Sequence, residues 1–329
     1  LVLGTSTGDA PADWSMEDWN STTVNAIKTN RAQNVHVQGC SGVGVNYGVR
    51  MTNGGLTTAL NLNVIGNTFR YLNSDGVMFE YASQSTIRDN EFYDFYVTND
   101  NHVDMVVNYK NVWNNLIKGN RLISTTTALR DIVHPQYKGT EGVGTTGVHL
   151  GGGNTGTVVV NNVIHANYYG TIALLSVEGS SYGVYVANNT VYNDASWPGD
   201  INEEAIISTT ISATGDTIQA YIVNNIASNV IIDTSDIWTK EAGNSTYGSD
   251  FTTAGFRYWV DDGSPADQDV RLTSGSENTD TGTLVRYPYD DFAGDPRPRT
   301  SWDRGAYERW SADYPSDQNL LADSWQLDG

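Results

Sequence analysis

Short β-prone runs broken by asparagine turns set the pattern of this chain. Runs such as Leu62-Asn63-Val64-Ile65 and Thr157-Val158-Val159-Val160 end in a polar residue and then Asn, after which a second strand-like stretch begins. The phrase recurs as Gly66-Asn67-Thr68-Phe69, Asp89-Asn90-Glu91-Phe92, Gly119-Asn120-Arg121-Leu122, Asn161-Asn162-Val163-Ile164, Asn188-Asn189-Thr190-Val191 and Asn224-Asn225-Ile226-Ala227. The unit it predicts is strand, Asn turn, strand. The second Asn falls at 67, 90, 120, 162, 189 and 225, in steps of 23, 30, 42, 27 and 36 residues. The chain reads as a coil of strands, with the shortest step one turn of the coil and the longer steps that turn plus a loop.

Asn suits such a corner because it tolerates left-handed backbone and offers two donors and an acceptor, so stacked copies can bond the turns above and below. A rung that cannot bury its apolar face by itself must stack on others before the core closes. The expected fold is all-β, a single-stranded parallel β-helix. A solenoid grows by adding rungs, so 329 residues need not split into domains. Rungs are expected over 1–236, with loop insertions at about 96–102 and 125–145. Irregular last turns and a C-terminal cap or tail of the same domain are expected over 237–329.

Composition narrows the partners. A formal net charge of −20 with only 18 basic residues argues against nucleic acid, whose phosphates need a positive surface. No stretch is long and apolar enough to span a bilayer. An acidic glycan would need a local basic patch or a bound Ca²⁺ held by oxygen ligands, while the acidity equally fits solubility in a salty medium. The single cysteine, Cys40, permits no intrachain disulfide and occupies a repeat corner where other rungs carry Asn, which points to packing. The sequence begins at Leu1 with no Met and no signal sequence, which reads as a processed or trimmed start.

Two interruptions stand out, in the steps of 30 and 42 residues. The surplus of the first lies in Tyr96-Val97-Thr98-Asn99-Asp100-Asn101-His102; that of the second lies in 125–145 and contains Arg130, Asp131, His134, Tyr137, Lys138 and Glu141. Loops that grow from a rigid coil commonly carry binding and catalytic groups, so these two are expected to wall one cleft.

The Asn corners and the ending Gly305-Ala306-Tyr307-Glu308 resemble right-handed parallel β-helix proteins of the pectate-lyase-like superfamily, many of them secreted by bacteria or carried by phages. More narrowly, Ser74-Asp75-Gly76-Val77-Met78, Asn101-His102-Val103-Asp104 and Lys138-Gly139-Thr140-Glu141-Gly142-Val143-Gly144 look like a subgroup with Asp-Gly and Asn-His-x-Asp motifs on successive rungs. The superfamily holds lyases, hydrolases, epimerases and non-catalytic spikes, so the resemblance implies a fold before it implies a reaction. This chain departs from the subgroup after Asp104, where Met105-Val106-Val107 replaces Gly, an aromatic residue and Gln.

Aligning rungs on their Asn corners brings Tyr47-Gly48, Asp75-Gly76, Asp104-Met105, Thr146-Gly147 and Tyr169-Gly170 to similar positions. Asp75 and Asp104 then stand one strand spacing apart, about 4.8 Å, close enough to perturb each other's ionisation and to serve as acid and base or hold a divalent cation. A turn-capping Asp75 fits the same text. His102 shares a strand face with Asp104 two residues on, an imidazole beside a carboxylate suited to moving protons near neutral pH; a structural His would look the same. His134 and His149 come from the next rung and its loop and His165 from the one after, without the short ligand spacing of a zinc site. No metal ligand is assigned.

For a lyase or C5-epimerase on a uronate, His102, Arg130, His134, Lys138, Tyr168 and Tyr169 are available as base, donor or neutralising cation. For a hydrolase, Asp75 and Asp104 supply a carboxylate pair, with Glu141 a third. The candidate catalytic set is therefore His102, Asp104, Asp75, Arg130 and His134, and the candidate binding set is Lys138, Glu141, His149, Tyr168 and Tyr169. With 9 Trp and 19 Tyr, some aromatics must face outward, to stack on sugars or to form an assembly surface such as that of a trimer. The expectation is an extracellular or virion-associated polysaccharide lyase or epimerase. Its alternatives are a glycoside hydrolase using paired aspartates and a non-catalytic spike or filament protein.

Overall fold

Each rung lays down three short strands, and each strand pairs in parallel with its counterpart one rung away. The computed structural model describes residues 2–3, 25–52, 59–72, 74–95, 103–123, 145–165, 175–192, 206–210, 218–232, 239–247, 254–258, 269–273, 275–285, 289–298 and 302–308. A first sheet runs through Val2–Leu3, Ser41–Val45, Thr68–Leu72, Glu91–Phe95, Arg121–Ile123, Val163–His165, Thr190–Tyr192, Ile226–Ala227 and Ser245–Thr246. A second runs from Val35–Gln38 through Leu62–Ile65, Thr86–Arg88, Leu116–Lys118, Val158–Val160, Ser181–Ala187 and Ile218–Val223 to Lys240–Ala242. The third holds Ile27–Asn30, Val49–Thr52, Val77–Glu80, Val103–Tyr109, Thr145–Gly151, Leu175–Glu178, Ile206–Thr210 and Asn229–Ile232. The chain is a parallel β-helix, as its repeat predicts. Among the described strands, Phe256–Tyr258 and Asp269–Leu272 form an antiparallel pair.

The side-chain period of two decides what the coil buries. Inward rows of like residues stack along the axis: Val37, Val64, Ile87, Ile117, Val159, Val186 and Ile222 on the second sheet are all buried. On the first sheet Phe69 and Phe92 stack at 5.8 Å between ring centroids. Each such side chain contributes about 1.5–3 kcal/mol by leaving water, but only once its neighbours above and below are in place.

The Asn corner joins the second sheet to the first and is a continuous ladder. The side-chain amide of Asn67 donates to Asn90 Oδ1 at 2.9 Å, Asn90 to Asn120 at 2.9 Å, Asn120 to Asn162 at 2.9 Å, and Asn162 to Asn189 at 2.9 Å. The ladder continues through Asn225 to Asn244. The second amide hydrogen of each goes to a carbonyl of the preceding rung, as from Asn120 to Ile87 at 2.9 Å. Cys40 holds the first place: its backbone N–H donates to Asn67 Oδ1 at 2.9 Å. The sequence reading credits Asn with both left-handed backbone and stacking, and the structure divides the two. Positive φ falls on the residue before each stacking Asn, at Gly66, Asp89, Gly119, Asn161, Asn188, Asn224 and Gly243.

Residues 278–285, 289–298 and 302–308 lie along this corner and use its left-handed residues as docking points. Asn161 donates to the Asp290 carbonyl, Asn188 to the Asp303 carbonyl and Asn224 to the Thr283 carbonyl. Lys118 closes an ion pair on both oxygens of Asp290, at 2.6 and 2.7 Å. Arg297, buried, bonds Glu308, Asn161 Oδ1 at 3.0 Å and the Gly305 carbonyl at 3.1 Å.

Candidate functional site

On the third sheet the strands Val103–Tyr109, Thr145–Gly151 and Leu175–Glu178 stack in register, Val106 on Val148 on Leu175. Those valines and the leucine are buried in the core, so the alternate row, with His149 between Val107 and Ser176, points outward. His149 Nδ1 stands 3.4 Å from Asp104 Oδ2 on the rung before, and Nε2 stands 3.4 Å from Glu178 Oε2 on the rung after. Tyr109 meets the imidazole edge-on at 6.4 Å between centroids. Gly151 makes room for both rings, since a Cβ there would lie 2.6 Å from His149 Nε2 and 2.8 Å from Tyr109 Cδ2.

Burial works against a charge on His149, but hydrogen bonding and Coulomb attraction from Asp104 and Glu178 outweigh it and push its pKa up to about 10. At neutral pH the ring is an imidazolium between two carboxylates. It is a store and donor of protons, and the acceptor role passes to the carboxylates.

Asp75 and Asp104 stand on successive rungs, as the corner alignment places them. Asp75 Oδ1 accepts the Asp104 backbone N–H at 2.9 Å, and the two residues are 7% and 6% exposed. Asp75 thereby fixes the backbone that presents Asp104 to His149. Gly76 is needed beside it, because a Cβ would sit 2.4 Å from the Met105 carbonyl oxygen.

His102, Arg130, His134, Lys138, Glu141, Tyr168 and Tyr169 lie outside the described residues, as do the loop segments 96–102 and 124–144. Among the described residues the imidazole facing Asp104 is His149. His165 does not join it: this residue is on the first sheet, buried, with its ring 4.9 Å from that of Tyr192. Among the described residues no group of three or more His, Cys, Asp or Glu is arranged to hold a metal ion. Lys110, next to Tyr109, places its ammonium 2.5 Å from Glu80 and 5.1 Å from the Tyr109 ring centre. Sequence reasoning missed Glu178. The signal was present: adding the 27-residue step between Asn162 and Asn189 to His149 gives Ser176, which puts Glu178 beside Gly151 on the outer face.

No protein-family profile and no curated protein matches the sequence significantly. Among solved structures the chain is similar to the crystal structure of pectate lyase Pel9A, with a TM-score of 0.39 and 14% identity over 94% of this chain and 77% of that one. The parallel β-helix rests on this chain's own strand pairing.

Proposed function

We propose that this β-helix acts on a polysaccharide at the outer face of its third sheet, through proton transfer among Asp104, His149 and Glu178. The observation that carries the reading is the imidazolium held at 3.4 Å from a carboxylate on each side, across three successive rungs. The reaction best matched to it is glycoside hydrolysis. The proton held by His149 passes through one neighbouring carboxylate to the leaving oxygen, while the other carboxylate takes a proton from the attacking water and returns it to His149 across 3.4 Å.

The uronate lyase or C5-epimerase expected from the sequence is the second reading. His149 supplies its proton donor and Lys110, close by, a cation. Against it stands the charge: Asp75, Asp104 and Glu178 outnumber one imidazolium, and a uronate carboxylate would need further neutralisation, from Ca²⁺ or a basic loop residue such as Arg130 or Lys138. An extracellular or virion-borne setting goes with either reading.

Incubation with neutral and acidic polysaccharides, with and without Ca²⁺, separates these outcomes. Reducing ends without unsaturated product identify a hydrolase. Ultraviolet absorbance from an unsaturated product identifies a lyase, and altered uronate signals in proton NMR without cleavage identify an epimerase. Silence across the panel leaves a structural or adhesion protein and overturns the reading.

A further inference from the structure

At the corner where the third sheet passes into the second, three residues fall in one outward row. Trp113 pairs in register with Thr155, and Thr155 with Tyr182. Their neighbours Val112, Asn154 and Ser181 are buried, which turns the row itself outward. Trp113 is 36% and Tyr182 45% exposed, large apolar surfaces that folding leaves in water. The rung between them carries Gly151, Gly152, Gly153, Thr155 and Gly156, so two aromatic walls two strand spacings apart, about 9–10 Å, flank a low floor. This floor begins at Gly151, the residue over which His149 and Tyr109 lie.

We infer that Trp113 and Tyr182 form a sugar-binding slot that extends the His149 site across the corner, an inference that rests on the polysaccharide reading above. The chemistry selects the occupant. A pyranose presents C–H groups with partial positive charge on its faces, which the negative face of an indole or phenol ring attracts, and hydroxyls at its rim. Single aromatics alternating with a hydroxyl and glycines match that distribution. A protein partner would be served by contiguous apolar surface. Trp113 and Tyr182 lie past the corner, on strands other than those of Asp104, His149 and Glu178, so the slot sets affinity and the length of chain preferred, not the chemical step.

The test uses the full chain with Trp113→Ala, Tyr182→Ala and the double variant, beside Trp113→Phe and Tyr182→Phe. Binding of the polysaccharide panel is read by affinity electrophoresis and titration calorimetry, and turnover by KM and kcat on long chains against short oligosaccharides. Each Ala variant is expected to weaken binding of long chains by roughly tenfold, with KM raised, kcat held, short oligosaccharides little changed and the Phe variants near wild type. Unchanged binding in the double variant overturns the slot while leaving the catalytic reading intact. Weakened binding of a glycan that is never turned over supports the slot and removes the catalytic reading. A shift from oligomer to monomer in the Ala variants, with no glycan bound by wild type, would make this surface a contact between copies and overturn the slot.

Discussion

His149 shows how much of this site depends on one proton. Its folded pKa of about 10 lies above the ordinary value of 6.5, so the stability it contributes is complete below about 6.5 and is lost as pH rises through about 10. Melting temperature should therefore fall as pH is raised from neutral toward 10, and His149→Gln should abolish most of that slope; an identical slope in the variant would contradict the assignment. The ladder residues are a second case. Asn120 is fully buried and accepts from the Asn90 backbone and side chain at 3.1 and 2.9 Å. Asn120→Ala strands those donors and takes the side-chain donor from the Ile87 carbonyl, while Asn162 Oδ1 keeps the residue-120 backbone N–H at 3.0 Å, and the change should cost about 3 kcal/mol in denaturant unfolding. The repeated Asn was legible in sequence because the same residue must recur wherever the ladder passes. The residue facing Asp104 was not. His102 lies two positions away in the chain, whereas His149 is brought to the carboxylate by the pairing of rungs, and only the register of those rungs selects it.

Among the elements, the strand rows were readable and the lateral strap was not. Valine-rich runs such as Val158–Val160 declare a strand by composition and spacing. The docking of the strap depends on contacts such as Arg297 to Asn161, 136 positions apart, and the strap residues carry no periodic signal. The strap also uses the side chains of left-handed residues: Asn161, Asn188 and Asn224 stand where the strap bonds them, while at Gly66, also at positive φ, an added Cβ would meet nothing within 4 Å. Arg297 is the hinge of this arrangement. Burial pushes the Glu308 carboxyl up to about 8 even beside Arg297, so in Arg297→Ala Glu308 takes a proton, and the loss is that of the donors to Asn161 Oδ1 and the Gly305 carbonyl, about 1–3 kcal/mol. Hydrogen exchange should then quicken first at the strap's own amides, such as those of Gly305 and Ala306, which donate to the Asn224 carbonyl and Thr190 Oγ1; uniform exchange across the coil would show that the strap and the rungs unfold as one unit.

The whole molecule is a stack in which each rung answers chiefly to its neighbours, and the proposed centre spans three consecutive rungs, those of Asp104, His149 and Glu178. Such a centre keeps its geometry because every strand beneath it is pinned by inward rows and by the corner ladder. The net charge of −20 acts on the same scale. It repels polyanions at low ionic strength, so a neutral glycan is favoured, and any uronate should bind better as salt is raised. The most direct test of the account is turnover of the best polysaccharide by wild type, Asp104→Asn and Glu178→Gln, each checked for an intact fold by its melting curve. The account predicts that each folded variant loses about 10²–10⁴-fold in kcat; turnover unchanged in both would contradict a proton-transfer centre at His149.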